Sequence, residues 1–185
     1  MEKVIIIDNR DQTIALGKQI GKLLQPHMLM TLNGDLGAGK TTFTKGIGEG
    51  LGIKRIINSP TFTILKQYQG HLQLSHFDAY RLEGQSEDLG FEEILDSEDV
   101  CVVEWPEFLE DILPQERLAI TIKRIDDSKR EFILNPIGKK YEELVKEIDY
   151  ESICSSKFKR WRWKNHHNSK RSLYIFGNGW KSISY

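Results

Sequence analysis

The passage Met28-Leu29-Met30-Thr31-Leu32-Asn33-Gly34-Asp35-Leu36-Gly37-Ala38-Gly39-Lys40-Thr41-Thr42 decides the fold. Met28 to Leu32 is an apolar run suited to a buried strand, and Thr42 to Leu51 reads as a helix ending at Gly50 or Gly52. Between them, Gly34 to Thr41 satisfies G-x-x-x-x-G-K-[ST] in the strand–loop–helix setting the pattern requires. Glycines at 34, 37 and 39 let the chain curl until successive N–H groups converge on one anion. The helix starting near Lys40 points its positive N-terminal end at the same place. A lysine at position 40 reaches the β- and γ-phosphates of a nucleotide, and the Thr41 hydroxyl is placed to ligate Mg²⁺. The phosphate-contacting set is Gly37, Ala38, Gly39, Lys40, Thr41 and Thr42.

Such a loop needs an acid on a nearby strand to hold the metal. Asp78 closes Leu72-Gln73-Leu74-Ser75-His76-Phe77, and Glu104 closes Val100-Cys101-Val102-Val103. Both stand at the carboxyl ends of apolar runs, where open α/β sheets gather their ligands. Both are expected to face Mg²⁺ or its waters. Guanine-reading proteins use N-K-x-D, which does not occur here, so ATP is the expected nucleotide. In Asn58-Ser59-Pro60-Thr61, the Thr61 hydroxyl is a candidate for the γ-phosphate or the metal.

Outward from this centre, Val4 to Ile7 reads as a strand and Ile14, Leu16, Ile20, Leu23 and Leu24 as one helical face stopped by Pro26. Arg55 to Thr61 reads as loop, and Phe62–Tyr68 with Leu72–Phe77 as a hairpin turning at Gln69-Gly70. Ser86 to Leu95 is an acidic helix, Val100 to Val103 a strand covered on both faces, and Pro106 to Leu113 a short helix. Leu118–Lys123 and Glu131–Leu134 form a second hairpin around Asp126-Asp127, and Gly138 to Ile148 a final helix. The fold class is therefore α/β, with a sheet that the hairpins make mixed.

The 185 residues, 39% hydrophobic and 29% charged, describe a globular domain and exclude fibrous or disordered chains. Cys101 and Cys154 are too few for a disulfide framework and too isolated for zinc. Cys101 belongs in the core. His71, His76, His166 and His167 invite a metal reading, but His76 is better placed as a packed or hydrogen-bonded residue. The longest apolar run near the start, Val4 to Ile7, is too short for a secretory or spanning segment, so a reducing cytosol is the expected location.

The net charge of −1 conceals two regimes. Residues 151–185 carry eight Lys/Arg against Glu151 alone, a net of +7, whereas residues 1–150 carry 18 Lys/Arg against 26 Asp/Glu. The acidic body has no basic field for capturing nucleic acid.

Four blocks of this chain together resemble the TsaE (YjeE) family, the small ATPases of bacterial tRNA threonylcarbamoyladenosine (t6A) synthesis. They are Leu32 to Thr42, Asn58-Ser59-Pro60-Thr61-Phe62-Thr63, His76-Phe77-Asp78-Ala79-Tyr80-Arg81 and Val103-Glu104-Trp105. The first block fits many ATPases, and its spacing to the other three is what makes the likeness specific. The resemblance covers residues 1–150 and implies a P-loop NTPase-like three-layer fold, with a mixed, largely parallel sheet containing antiparallel hairpins. It implies an Mg²⁺-dependent ATPase whose activity depends on the TsaD and TsaB proteins. TsaD, not this family, performs the carbamoyl transfer to adenosine 37 of ANN-decoding tRNA. By the same resemblance Thr41 and Glu104 hold Mg²⁺, Asp78 supports hydrolysis, Thr61 lies in a switch loop and Trp105 stands beside the site. Arg124 is a further candidate for contacting the nucleotide, with a solvated strand-end charge as the alternative.

The resemblance stops near Tyr150. Residues 151–185 form a basic, Trp-rich extension, densest at Lys157-Phe158-Lys159-Arg160-Trp161-Arg162-Trp163-Lys164. A segment of this kind can attract tRNA by phosphate charge and base stacking or adsorb to anionic lipid. The favoured expectation is a disordered or non-family extension, because no apolar periodicity marks a second fold. Two other functions stay open at this point. One is a small-molecule or nucleoside kinase on the same fold, which needs an acceptor site and usually an arginine-bearing lid. The other is a nonenzymatic binding module for which ATP is only a conformational ligand.

Overall fold

The structure is a computed structural model that describes residues 2–83 and 90–153, together with the backbone of residues 159–164, 171–176 and 179–184. Chain order is β1 (Glu2–Ile7), α1 (Arg10–Leu23), β2 (Leu29–Asn33), α2 (Lys40–Gly50), β3 (Leu65–Tyr68), β4 (Leu74–Asp78), α3 (Phe91–Leu95), β5 (Val100–Glu104), β6 (Arg117–Arg124), β7 (Arg130–Ile137) and α4 (Lys139–Glu147). Three further strands follow: β8 (Lys159–Lys164), β9 (Arg171–Phe176) and β10 (Gly179–Ser184). They join in one sheet of order β10-β9-β8-β1-β7-β6-β2-β5-β4-β3. The middle, β6-β2-β5-β4, is parallel, and the pairs β6–β7, β1–β7 and β3–β4 are antiparallel. The α/β class and the mixed, centrally parallel sheet are thus as read from the sequence.

Two apolar layers sandwich the sheet, because alternate residues of the buried strands point to opposite faces. Met30, Leu32, Val100 and Val102 join Leu16, Ile20, Phe43, Ile47 and Tyr141 under α1, α2 and α4, whereas Leu29, Cys101 and Val103 join Phe77, Phe91, Leu95 and Leu109 on the other side. Burial pushes the Cys101 thiol up to about 12, which fits a core thiol rather than a reactive one.

Helix α1 begins at a reciprocal cap: Asn9 accepts from the Gln12 amide at 2.9 Å while Gln12 Oε1 accepts from the Asp8 amide at 2.9 Å. It then lies backbone-to-backbone along α2. A Cβ on Gly17 would come 2.4 Å from the Phe43 carbonyl, and one on Gly46 would come 2.3 Å from the Ile14 carbonyl. Gly21 and Gly50 repeat the arrangement one turn on, each leaving no room for a side chain. The close crossing fixes α2, and with it the loop feeding its N-terminus.

Some boundaries differ from the sequence reading. β3 starts at Leu65 rather than Phe62, because the Pro60 carbonyl accepts from the amides of Thr63 (2.8 Å) and Ile64 (2.6 Å), making a tight turn first. The stretch after Trp105 is a 3₁₀ turn of Pro106–Phe108 rather than a helix to Leu113. Helix α3 is seen from Phe91, and the expected start at Ser86 lies outside the described residues, as do Cys154, His166 and His167.

Beyond residue 150, where the sequence leads to the expectation of a disordered or non-family extension, the described backbone comprises strands β8 to β10. β8 pairs antiparallel with β1, Lys3 opposite Trp163 and Val4 opposite Arg162, and β9 and β10 continue the meander. Without β8, β1 would end the sheet with unpaired N–H and C=O groups, the usual template for another strand. Among the described residues, no helix is long and apolar enough to cross a membrane.

Candidate nucleotide and metal site

The loop from Gly34 to Gly39 leaves β2 and enters α2 at Lys40. Gly37 (φ +78°) and Gly39 (φ +112°) hold backbone conformations that L side chains rarely adopt, and a Cβ at either would meet nothing within 4 Å. Their cost is therefore conformational, and the space above them is open. That is the condition for main-chain N–H groups to face an anion.

Register delivers the two acids. β4 and β5 run parallel with Asp78 opposite Glu104, and β5 and β2 run parallel with Glu104 opposite Leu32, two residues before the glycine loop. Both carboxylates are 3% exposed, which places charge at a nearly dry strand end. Glu104 Oε1 accepts from the Thr41 hydroxyl at 3.2 Å and lies 2.9 Å from His76 Nε2. Asp78 Oδ2 accepts from the Ser59 hydroxyl at 2.9 Å and from the Thr61 hydroxyl, while Oδ1 accepts from the Tyr80 amide at 3.2 Å.

The Lys40 ammonium donates to the carbonyls of Gly34 (2.5 Å) and Asp35 (3.2 Å) and sits 3.9 Å from the centroid of the Trp105 ring. Burial lowers its pKa, and the charges of Glu104, Asp78, Glu107 and Asp35 oppose that shift. Trp105 is presented by a left-handed backbone (φ 59°) directly after Glu104, and Tyr80 packs on it at 5.0 Å between ring centroids.

These groups line a cleft of about 470 Å³ that includes Gly37, Lys40, Thr41, Thr61, Asp78 and Glu104. A second cleft of about 390 Å³ lies on the other side of the same loop and shares Gly37, Gly39 and Thr42 with the first. Ala38 lines the second cleft. Arg124 lines neither. Its guanidinium pairs with Asp127 and donates to the Asp126 carbonyl at 3.2 Å, in the turn between β6 and β7. The arginine that reaches the loop is its cross-strand partner, Arg130, whose Nε donates to the Ala38 carbonyl at 2.9 Å. Arg130, Ser59, Tyr80 and the His76–Glu104 pair are the parts the sequence reading did not single out. The H-x-D spacing held a signal for the last, since residues two apart on a strand share a face.

The donor set suits Mg²⁺. A hydroxyl and one or two carboxylates beside a phosphate cradle is the usual protein share of a Mg²⁺ site, the rest being phosphate and water oxygens. Among the described residues no group of three or more His, Cys, Asp or Glu side chains is placed to hold a metal ion by itself.

Comparison with known proteins bears on what such a cleft serves. The family model described as threonylcarbamoyl adenosine biosynthesis protein TsaE matches residues 7–132. The chain belongs to the TsaE family. It is 52% identical over 149 residues, 80% of this chain and 94% of the relative, to the tRNA threonylcarbamoyladenosine biosynthesis protein TsaE of Bacillus subtilis (strain 168). The TsaE protein of Treponema pallidum (strain Nichols) is 41% identical over 121 residues, 64% of this chain and 90% of that one. The crystal structure of Bacillus subtilis YdiB superposes with a TM-score of 0.70 at 43% identity, covering 80% of this chain and 93% of that one. The four blocks that carry the TsaE resemblance lie within the matched span, and residues of all four line the first cleft.

Proposed function

We propose that this TsaE-family chain binds and hydrolyses ATP with Mg²⁺, and that it does so in the cytoplasm as an accessory to threonylcarbamoylation of adenosine 37 in ANN-decoding tRNA, acting with the TsaD and TsaB proteins. The observation that carries this reading is the parallel register setting Asp78 beside Glu104, with Thr41 and the glycine loop at the head of the adjoining strand. The names of the relatives supply the pathway.

The roles divide among the chain's own residues. The amides of residues 37 to 42 and the Lys40 ammonium grip and orient the phosphates, and Thr41 and Glu104 hold the metal. Mg²⁺, when bound, neutralises charge growing on the β- and γ-phosphate oxygens. Asp78, held in place by hydroxyl and amide donors, orients attacking water, and Thr61 belongs to the loop that senses the γ-phosphate. Trp105 and Tyr80 wall one side against solvent. The second cleft, bordered by Asn9, Thr13 and Arg130, takes the nucleoside end.

Among the described residues lining the first cleft, Lys40 is the one Lys or Arg. No arginine among them stands ready to meet transition-state charge, a group worth 10³–10⁵-fold in related chemistry. Slow turnover by the chain alone, and acceleration by a partner that adds or orders a group, follow from that deficit. Nothing in the cleft favours the kinase reading, and the family match gives it no support.

The test is reconstitution. ATP turnover by the full chain is measured with and without TsaD and TsaB, alongside modification of tRNA. Stimulated turnover and modification are expected with the native chain. Lys40→Ala should remove nucleotide binding or turnover, and unchanged stimulated turnover in that variant would contradict the assignment.

A further inference from the structure

His76 is a buried histidine that the proposed function does not use. It is fully buried on β4, with Nε2 2.9 Å from Glu104 Oε1 and, among the described residues, no partner for Nδ1. Packing does not account for it. Leu74 and Asp78 share its strand face, Leu74 fully buried, and an apolar side chain at 76 would fill the space without stranding a nitrogen. A buried polar atom left without a partner costs about 1–3 kcal/mol.

The chemistry fixes the tautomer. An ionised carboxylate only accepts, so this bond needs the imidazole proton on Nε2. Thr41 and His76 both direct their bonds to Oε1, so Oε2 is the Glu104 oxygen left for the cleft. Of these two donors, the Thr41 hydroxyl is itself assigned to the metal. Among the described residues the imidazole Nε2 has no other partner, and the ring is fully buried.

We propose that His76 is a positioning residue: its Nε2–H clamps Oε1 of Glu104, so that the carboxylate presents Oε2 to Mg²⁺ in one orientation. The proposal rests on the reading of Glu104 as a metal-holding group. Outer-shell donors of this kind are worth about 10–100-fold in metal affinity or activity.

The experiment titrates Mg²⁺ into the full chain with a fluorescent ATP analogue, reading nucleotide affinity, and repeats the analogue titration in EDTA. His76→Phe should raise the half-saturating Mg²⁺ about 10–100-fold while affinity in EDTA stays within about twofold. His76→Gln, which restores an N–H near the Nε2 position, should recover Mg²⁺ sensitivity to within about threefold of the native chain. Native-like Mg²⁺ sensitivity in a folded His76→Phe, or equal loss in the Gln and Phe variants, overturns the clamp alone. Native nucleotide binding indifferent to Mg²⁺ overturns the role of Glu104, and the clamp with it. Should either variant fail to fold, ¹⁵N NMR of the native imidazole decides. An Nε2–H tautomer with a hydrogen-bonded proton is expected, and an Nδ1–H tautomer overturns the proposal.

Discussion

Asp78 and Glu104 end neighbouring parallel strands in register, equally buried, yet they are held by different kinds of structure. Glu104 is gripped by His76 on the adjacent strand and Thr41 on α2, both parts of the packed framework. Asp78 is gripped mainly by Ser59 and Thr61, hydroxyls on the loop before β3. Phe62, next along that loop, is 83% exposed. One wall of the cleft is therefore set by packed strands and helix, and the other by loop hydroxyls on a segment anchored by buried Ile57 and Pro60 but open to solvent at Phe62. Regions with few buried apolar contacts are the ones that move at low cost. The difference assigns constancy to the Glu104 side, where the proposed function puts the metal, and adjustability to the Asp78 side, where it puts the attacking water.

Glu104→Gln tests the fixed wall most severely, because it keeps the shape and deletes the charge. Partner-stimulated, Mg²⁺-dependent turnover should fall on the order of 10²–10³-fold, the scale for removing one preorganised group. Nucleotide affinity in EDTA should change less than about threefold. Equal loss of both would turn Glu104 into a binding residue and erase the contrast.

Gly46→Ala loosens the same wall from behind. Its new Cβ would lie 2.3 Å from the Ile14 carbonyl and force α1 from α2. Urea denaturation should show about 1–3 kcal/mol of lost stability. An unchanged midpoint would mean that the helix bearing Thr41 does not depend on this crossing.

Thr61→Val should do least. It removes one of three donors to Asp78 and leaves the Ser59 hydroxyl and the Tyr80 amide in place. A hydrogen bond of this type is worth about 1 kcal/mol, so stability should fall by no more than about that and stimulated turnover by roughly five- to tenfold. A loss matching that of Glu104→Gln would show the loop wall to be as fixed as the other.

Much of the site is legible in the amino-acid sequence. The glycine loop, Lys40 and Thr41 form a contiguous pattern whose geometry is local, and the two acids stand out as the last residues of apolar runs. Leu65 as the start of β3 is not legible there, since β-branched and aromatic residues from Phe62 onward suit a strand and only the Pro60 turn diverts them. The choice between Arg124 and Arg130 is not legible either. They face each other across one hairpin, and which guanidinium turns to the loop depends on the Asp126–Lys129 turn, whose Asp126 carboxyl accepts from the amides of Ser128 and Lys129.

The sequence by itself determined the α/β class, the glycine-rich loop and the residue types around it, because these follow from short-range spacing and backbone preference. Tertiary structure alone decided which carboxylate answers to which support. Asp78 and Glu104 lie 26 positions apart and Thr41 and Glu104 63 apart, and only the pairing of β2, β5 and β4 brings them together. Strand order and register arise from burial summed over the whole sheet, a quantity no local window contains.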